Sequence, residues 1–211
     1  MFSDRIEAGS LLAGRLKKYE GKPGVVLAIP RGGVPVAYAV AKELGLPLDV
    51  VLIKKIGHPN NKEYAIGAAN LTDYFVIPHA DVPSSYIIEE VERIRQRLKK
   101  MYRQFMAGKE PENLENKTVI IVDDGVATGS TLLGTVNMLR KSKPARIVIA
   151  VPVASRSAVE VLSEAVDEVV VLLIPEQFFG VGDFYEDFAQ VNDDEVLYYL
   201  NKWKKEVLKT G

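Results

Sequence analysis

The stretch Val119–Thr131 reads VIIVDDGVATGST. An apolar, β-branched run from Val119 to Val122 has the character of a strand buried on both faces. It meets two adjacent carboxylates, Asp123 and Asp124, then a turn of small residues from Gly125 to Ser130, and then a helix beginning near Thr131. Strand, acids, small turn and helix in that order place the acids at the carboxyl end of a strand, where open α/β sheets bind their ligands. The turn carries no bulky side chain. Backbone N–H groups of Ala127, Thr128, Gly129, Ser130 and Thr131 can therefore converge on an anion at the positive end of the helix, and the hydroxyls of Thr128, Ser130 and Thr131 add donors. Asp123 and Asp124, as acceptor-only oxygens, suit the hydroxyls of a sugar.

Working outward, the same alternation repeats. Val25–Ile29 is a short apolar run ending at Pro30, Val34–Leu44 is small, apolar and helix-compatible, and Gly45 is placed to end that helix. Leu48–Ile53, Arg146–Val151 and Glu168–Leu173 read as further strands, and Thr131–Lys141 and Ser155–Ala165 as helices. Apolar β runs alternating with helices predict an α/β fold, doubly wound on a mainly parallel five-stranded sheet. At the start of the chain, Ser3 followed by Asp4, with Ile6, Leu11, Leu12 and Leu16 at helical spacing, predicts a capped amphipathic helix packed on that sheet.

Two stretches break the alternation. From Gly57 to Glu115 an insertion opens with polar HPNNKEY, offers short strands at Ala65–Asn70 and Tyr74–Ile77, and ends in a long helix from about Ser85 to Met106. Ile87, Val91, Ile94, Leu98, Met101 and Phe105 give that helix one apolar stripe, which packs either on the body of its own chain or on a second subunit. A homodimer is left open on this ground. The second stretch, Pro175–Gln190, is rich in aromatics and glycine and reads as an ordered loop before a closing helix at Asp193–Leu208. The whole, residues 1–211, is read as one domain with an insertion.

Bulk properties remove several classes of function. Lys and Arg number 27 against 28 Asp and Glu, a net charge of −1, so no general electrostatic attraction to nucleic acid or to an anionic membrane is expected. There is no cysteine, which excludes disulfides, thiolate metal sites and thiol nucleophiles. Charges at Asp4, Arg5 and Glu7 precede any apolar run, and no apolar stretch approaches the roughly 18 residues of a spanning helix, so a cytoplasmic location is expected. The two histidines, His58 and His79, fall in polar surroundings of the insertion and are read as exposed loop residues.

Other phosphate motifs fit poorly. A P-loop requires a Lys that is missing beside Ser130, and Gly125 and Gly129 lack the spacing of a dinucleotide turn. The segment instead resembles the signature of the type I phosphoribosyltransferase family: apolar strand, two acids, two variable residues, a small residue, Thr, Gly, a variable residue and Ser or Thr. The resemblance implies that the chain binds 5-phosphoribosyl-1-pyrophosphate (PRPP), with Asp123 and Asp124 on the ribose and Ala127–Thr131 on the 5-phosphate. It implies the strand order 2-1-3-4-5 and a pyrophosphate loop at Ile29–Gly33, IPRGG, where Arg31 offers charge and Gly32 and Gly33 allow close approach. That family loop often holds a non-proline cis peptide, expected here at Arg31–Gly32. Lys54 and Lys55, after the second strand, resemble the family's basic residues for pyrophosphate.

The resemblance further implies transfer of the phosphoribosyl group to a nitrogenous acceptor, with a nucleobase the expected small-molecule partner, release of pyrophosphate, and Asp123 and Asp124 as the catalytic pair. Mg²⁺ is the expected cofactor, held through PRPP oxygens, with Asp123 or Asp124 able to add a ligand. The family's acceptor site lies under a variable hood, here Pro175–Gln190, where Phe178, Phe179, Phe184 and Tyr185 either stack a planar base or close the sheet edge as core. A non-catalytic PRPP-binding regulator is the alternative, although such proteins usually add a DNA-binding domain. A phosphohydrolase with Asp123 as nucleophile is a more distant one.

Overall fold

The computed structural model describes residues 1–77 and 81–207. His79 and the last residue expected in the closing helix, Leu208, lie outside them. The chain divides into two compact units, one formed by residues 1–50 and 111–211, the other by residues 51–110.

The first unit is built on five parallel strands: β1 (Gly24–Ala28), β2 (Leu48–Val50), β6 (Thr118–Val122), β7 (Arg146–Val153) and β8 (Glu168–Leu173). They lie in the order β2-β1-β6-β7-β8, which is the expected 2-1-3-4-5. β1 and β6 run in register from Gly24 beside Thr118 to Ala28 beside Val122. β1 is buried throughout and β6 and β7 from their second residue on, which is why they carry continuous Val, Ile and Leu instead of an alternating pattern. The strand order reverses between β1 and β6, so their trailing loops open side by side at the switch point.

Helices cover this sheet. α1 (Arg5–Leu16) is capped by Asp4, whose Oδ1 accepts from the N–H groups of Ile6 and Glu7 at 2.8 Å each. Its apolar face packs chiefly on α2 (Gly33–Leu44) and also on β7 and β8, so the expected contact with the sheet is shared with another helix. The two helices approach closely at Gly9, where an added Cβ would stand 2.6 Å from the Val36 carbonyl oxygen. Gly45, with φ of 63°, ends α2 as expected and donates to its last carbonyls. α4 (Ser130–Leu139) follows β6, α5 (Arg156–Ser163) follows β7 with Ser155 as its cap, and α6 (Asp193–Val207) packs on α2.

The second unit holds an antiparallel sheet of β3 (Lys54–His58), β4 (Asn61–Ala69) and β5 (Tyr74–Val76), followed by α3 (Ser84–Met106), whose Val91, Ile94, Leu98, Tyr102, Phe105 and Met106 are buried. β3 departs from the sequence expectation, which ran the second strand to Ile53 and began an insertion at Gly57 with no strand before Ala65. β2 ends at Val50, and Lys54 and Lys55 open a new strand instead of a surface loop. The register of β3 on β4 shifts on both sides of Gly57, where a Cβ would lie 2.4 Å from the Lys62 carbonyl oxygen. Such a bulge breaks the period of two by which a strand is recognised. His58 is also buried rather than exposed, because the hairpin turns it inward to Asp81, 3.0 Å from its Nε2. No helix of the described residues is long and apolar enough to cross a membrane.

The cap of α1 gives a direct check on this architecture. Asp4→Ala leaves two N–H groups of the first turn without an acceptor and is expected to lower stability by about 1 kcal/mol in urea denaturation, with unchanged m-value; Asp4→Ser, which preserves a capping oxygen, recovers most of it.

Candidate functional site

Two loops meet at the switch point. After β1, the chain reverses through Ile29–Gly32 and enters α2 at Gly33; the Gly33 N–H donates to the Ile29 carbonyl at 3.1 Å and the Val34 N–H to the Arg31 carbonyl at 3.0 Å. The loop does contain a non-proline cis peptide, but at Pro30–Arg31, one bond earlier than expected. Gly32 already has helical dihedrals, φ −57° and ψ −34°, so the reversal is complete before the Arg31–Gly32 bond.

After β6, Asp123 and Asp124 begin the second loop, with the Asp124 N–H donating to Asp123 Oδ1 at 2.9 Å. The glycines of the first loop are fitted to these acids. A Cβ on Gly32 would fall 2.0 Å from Asp124 Oδ2, and one on Gly33 would lie 2.7 Å from the Val122 carbonyl oxygen and 2.9 Å from Asp123 Cα. Any side chain at Gly32 would therefore displace the second acid.

The turn Gly125–Gly129 ends at Gly129 with φ of 76°, a left-handed conformation that glycine adopts without strain, directly before α4. Ala127, Thr128, Ser130 and Thr131 are exposed around it, and the Thr128 and Ser130 hydroxyls lie 3.3 Å apart. The turn is fixed from behind: Val126 bridges to Ala154, and the Ser155 hydroxyl donates to the Ala127 carbonyl at 2.6 Å. The expected phosphate cradle is thus a braced, open turn at a helix N-terminus.

Asp124 is held by Arg5, which the sequence does not advertise, and by Tyr185, which it marks only as a hood aromatic. Arg5, the first residue of α1, donates through Nε to Asp124 Oδ2 at 2.9 Å and through Nη1 to the Ala189 carbonyl at 2.9 Å, while its guanidinium lies 3.9 Å from the centre of the Phe188 ring. The Tyr185 hydroxyl donates to the Asp124 backbone carbonyl at 2.6 Å. Beside Asp124 opens a cavity of about 350 Å³ lined by Arg5, Arg31, Gly32, Asp124, Phe188, Gln190 and Val191. Arg5, Phe188, Gln190 and Val191 belong to no motif, and only the fold brings them to the acids. Arg31 projects toward α6, pairing through Nε with Asp193 at 2.7 Å.

Three of the four aromatics singled out in Pro175–Gln190 close as core and one is exposed. Tyr185 is core: it packs with Phe2, Ala8 and Val153, and its phenol is pushed well up by burial and by the neighbouring Asp124 charge. Phe178 and Phe184 pack on the same cluster, their ring centres 5.6 Å apart, whereas Phe179 is 87% exposed. Lys54 and Lys55 are exposed at the start of β3 in the second unit.

Burial pushes the Asp123 carboxyl well above the ordinary carboxylate range, and the adjacent Asp124 charge pushes it further; Arg5 offsets part of this. Among the described residues no group of three or more His, Cys, Asp and Glu is placed to hold a metal. Asp123 and Asp124 are a two-carboxylate, hard-oxygen set, which suits a cation such as Mg²⁺ that draws its other ligands from substrate oxygens and water.

The family model described as phosphoribosyl transferase domain matches residues 4–188 of the chain. The chain belongs to that family. It is 37% identical over 218 residues to the Mycobacterium tuberculosis H37Rv protein named "Putative phosphoribosyl transferase Rv0571c", covering 100% of this chain and 49% of that one. The chain thus spans about half the length of the curated relatives it matches. TT1426 from Thermus thermophilus shares 40% identity and superposes with a TM-score of 0.84 over 96% of this chain and 99% of its own. A ribose-phosphate pyrophosphokinase of Pyrococcus furiosus is 28% identical over 167 residues, 68% of this chain and 60% of that protein.

Two outcomes follow from this family member's acids. Gly32→Ala is expected to destabilise the protein by roughly 1–3 kcal/mol through overpacking against Asp124, and Asp124→Ala, by removing the clashing atoms, recovers most of that loss in the double variant; additive losses in thermal unfolding would contradict the contact. For Asp123 the native state keeps its proton at a pH where the unfolded chain has lost it. Its contribution is therefore favourable at low pH and lost as pH rises through the raised native value. Asp123→Asn, whose side-chain oxygen still accepts from Asp124, should melt above the unsubstituted protein at pH 8, by roughly 2–4 °C for each kcal/mol gained. The gap should close as the pH falls toward about 4, the ordinary carboxylate range.

Proposed function

We propose that the chain transfers the 5-phosphoribosyl group of PRPP to a nitrogenous acceptor, a nucleobase, and releases pyrophosphate. The observation that carries this reading is the fit of Gly32 against Asp124, which joins the pyrophosphate-type loop to the paired acids beside a cavity large enough for a planar acceptor. Family membership supplies the reaction class.

In this reading the N–H groups and hydroxyls of Ala127–Thr131 hold the 5-phosphate at the start of α4. Asp123 and Asp124 accept hydrogen bonds from the ribose hydroxyls, and the Asp124 carboxylate lies where positive charge grows on the ribose as the bond from the anomeric carbon to pyrophosphate breaks. The bonding pair leaves with pyrophosphate, whose accumulating charge meets Arg31 and the backbone of Gly32 and Gly33. The acceptor nitrogen supplies the pair for the new bond to the anomeric carbon, and the proton it carried leaves to water. Mg²⁺, bound mainly through substrate oxygens with Asp123 or Asp124 as the protein's contribution, would neutralise charge on the leaving group. Phe188, Gln190 and Val191 form the cavity wall suited to the acceptor, apolar at Phe188 and Val191 and with the Gln190 carboxamide to hydrogen-bond it.

The decisive experiment incubates the protein with PRPP, Mg²⁺ and single nucleobases and measures pyrophosphate. Base-dependent release is expected, falling at least about 100-fold in Asp124→Asn if that carboxylate stabilises the transition state by the roughly 2.7–4 kcal/mol typical of such a group. PRPP binding without turnover against any acceptor would favour a non-catalytic regulator, and phosphate release without pyrophosphate would favour a hydrolase.

A further inference from the structure

The N-terminal segment is built into the site. The Phe2 N–H donates to the Phe184 carbonyl at 2.8 Å, the Glu186 N–H to the Phe2 carbonyl at 2.8 Å, and the Asp187 N–H to the Ser3 carbonyl at 3.0 Å. Residues 2–3 thus lie along residues 184–187 as a short parallel pair, and the Phe2 and Tyr185 rings pack with centres 5.3 Å apart. Asp4 then caps α1, which fixes where Arg5 leaves the helix.

Arg5 converts this anchoring into a restraint on one carboxylate. Its side chain is 11% exposed and that of Asp124 15%, so the pair is largely removed from water and its hydrogen bond is little screened. The guanidinium is fixed by the Asp124 bond at Nε, the Ala189 carbonyl at Nη1 and the Phe188 ring across its face. Two of these partners belong to the segment after Tyr185, which itself holds the Asp124 carbonyl. The second acid is therefore gripped at both its backbone and its side chain by a single assembly of residues 2–5 and 184–189. A carboxylate oxygen that accepts from Arg5 retains further acceptor capacity, so the grip orients Asp124 without consuming it.

We infer that Arg5 is a positioning residue: it holds the Asp124 carboxylate in the orientation that accepts a ribose hydroxyl, and Phe188 and the Ala189 carbonyl hold Arg5 in turn. The inference rests on the reading of Asp124 as a ribose ligand. Arg5 has no role toward the 5-phosphate, which falls to Ala127–Thr131. Lys at position 5 keeps the charge but lacks the planar fork needed to meet the carboxylate, the carbonyl and the ring together.

The test compares two ligands by calorimetry: ribose 5-phosphate, and tetrahydrofurfuryl phosphate, which keeps ring and phosphate but lacks the hydroxyls. The unsubstituted protein prefers the first. Arg5→Gln is expected to reduce ribose 5-phosphate affinity about tenfold, equivalent to the loss of about 1.4 kcal/mol, while binding of tetrahydrofurfuryl phosphate stays within twofold. Arg5→Lys should fall between, and Arg5→Gln should add little to the loss already caused by Asp124→Asn. A merely structural role would weaken both ligands alike, and that outcome overturns the inference. So does an unchanged preference in Arg5→Gln when Asp124→Asn has abolished it. If Asp124→Asn itself leaves the preference intact, the ribose reading of Asp124 is what fails. Should Arg5→Gln unfold, Arg5→Lys decides, and full retention of the preference in that variant refutes the positioning role.

Discussion

The contact between Gly32 and Asp124 is the constraint on which the site depends. Two parallel strands, β1 and β6, end side by side, and their loops must occupy almost the same space. Only a residue without Cβ lets the first loop pass the carboxylate of the second, and Gly33 passes the Val122 carbonyl on the same terms. The consequence is chemical as well as steric. Backbone amides of one loop and carboxylates of the other are presented to a single volume, so one ligand can be met by an anion-binding loop and by acceptor-only oxygens together.

Packing elsewhere maintains that juxtaposition. Continuous apolar burial of β1, β6 and β7 fixes the strand ends, and the Ser155 and Ala154 contacts brace the small-residue turn from the next loop along. Tyr185 and Arg5 hold Asp124 from the opposite side. Burial raises the proton affinity of Asp123, and the charge of the adjacent Asp124 raises it further. Arg5 limits it by placing one positive charge where the acids would otherwise be uncompensated.

Much of this was legible in the sequence, for identifiable reasons. A fully buried parallel strand must be apolar on both faces, so β1, β6 and β7 announced themselves, as did α2 through the glycine that stops it. The small turn between Asp124 and the next helix was equally plain, because a braced anion-binding turn tolerates few residue types. β3 was not legible, since its bulge at Gly57 erased the alternation that marks a strand, and the inward turn of His58 went with it. The position of the cis peptide, at Pro30–Arg31, also escaped, as several bonds of IPRGG could have held it.

What the sequence by itself determined was the α/β class, the strand order through a family resemblance, and the local chemistry of contiguous residues: Asp123, Asp124 and the turn from Ala127 to Thr131 are neighbours in the chain, so their relation is set by a few dihedral angles. What only the tertiary structure decided was the company these residues keep. Arg5, Tyr185, Phe188 and Gln190 reach the acids from opposite ends of the chain, and no local pattern marks them, because an arginine opening a helix and aromatics in a loop satisfy many folds equally well. Their selection depends on the segment at residues 2–3 pairing with residues 184–187, a long-range match that exists only once the sheet has brought both ends of the chain to the same edge.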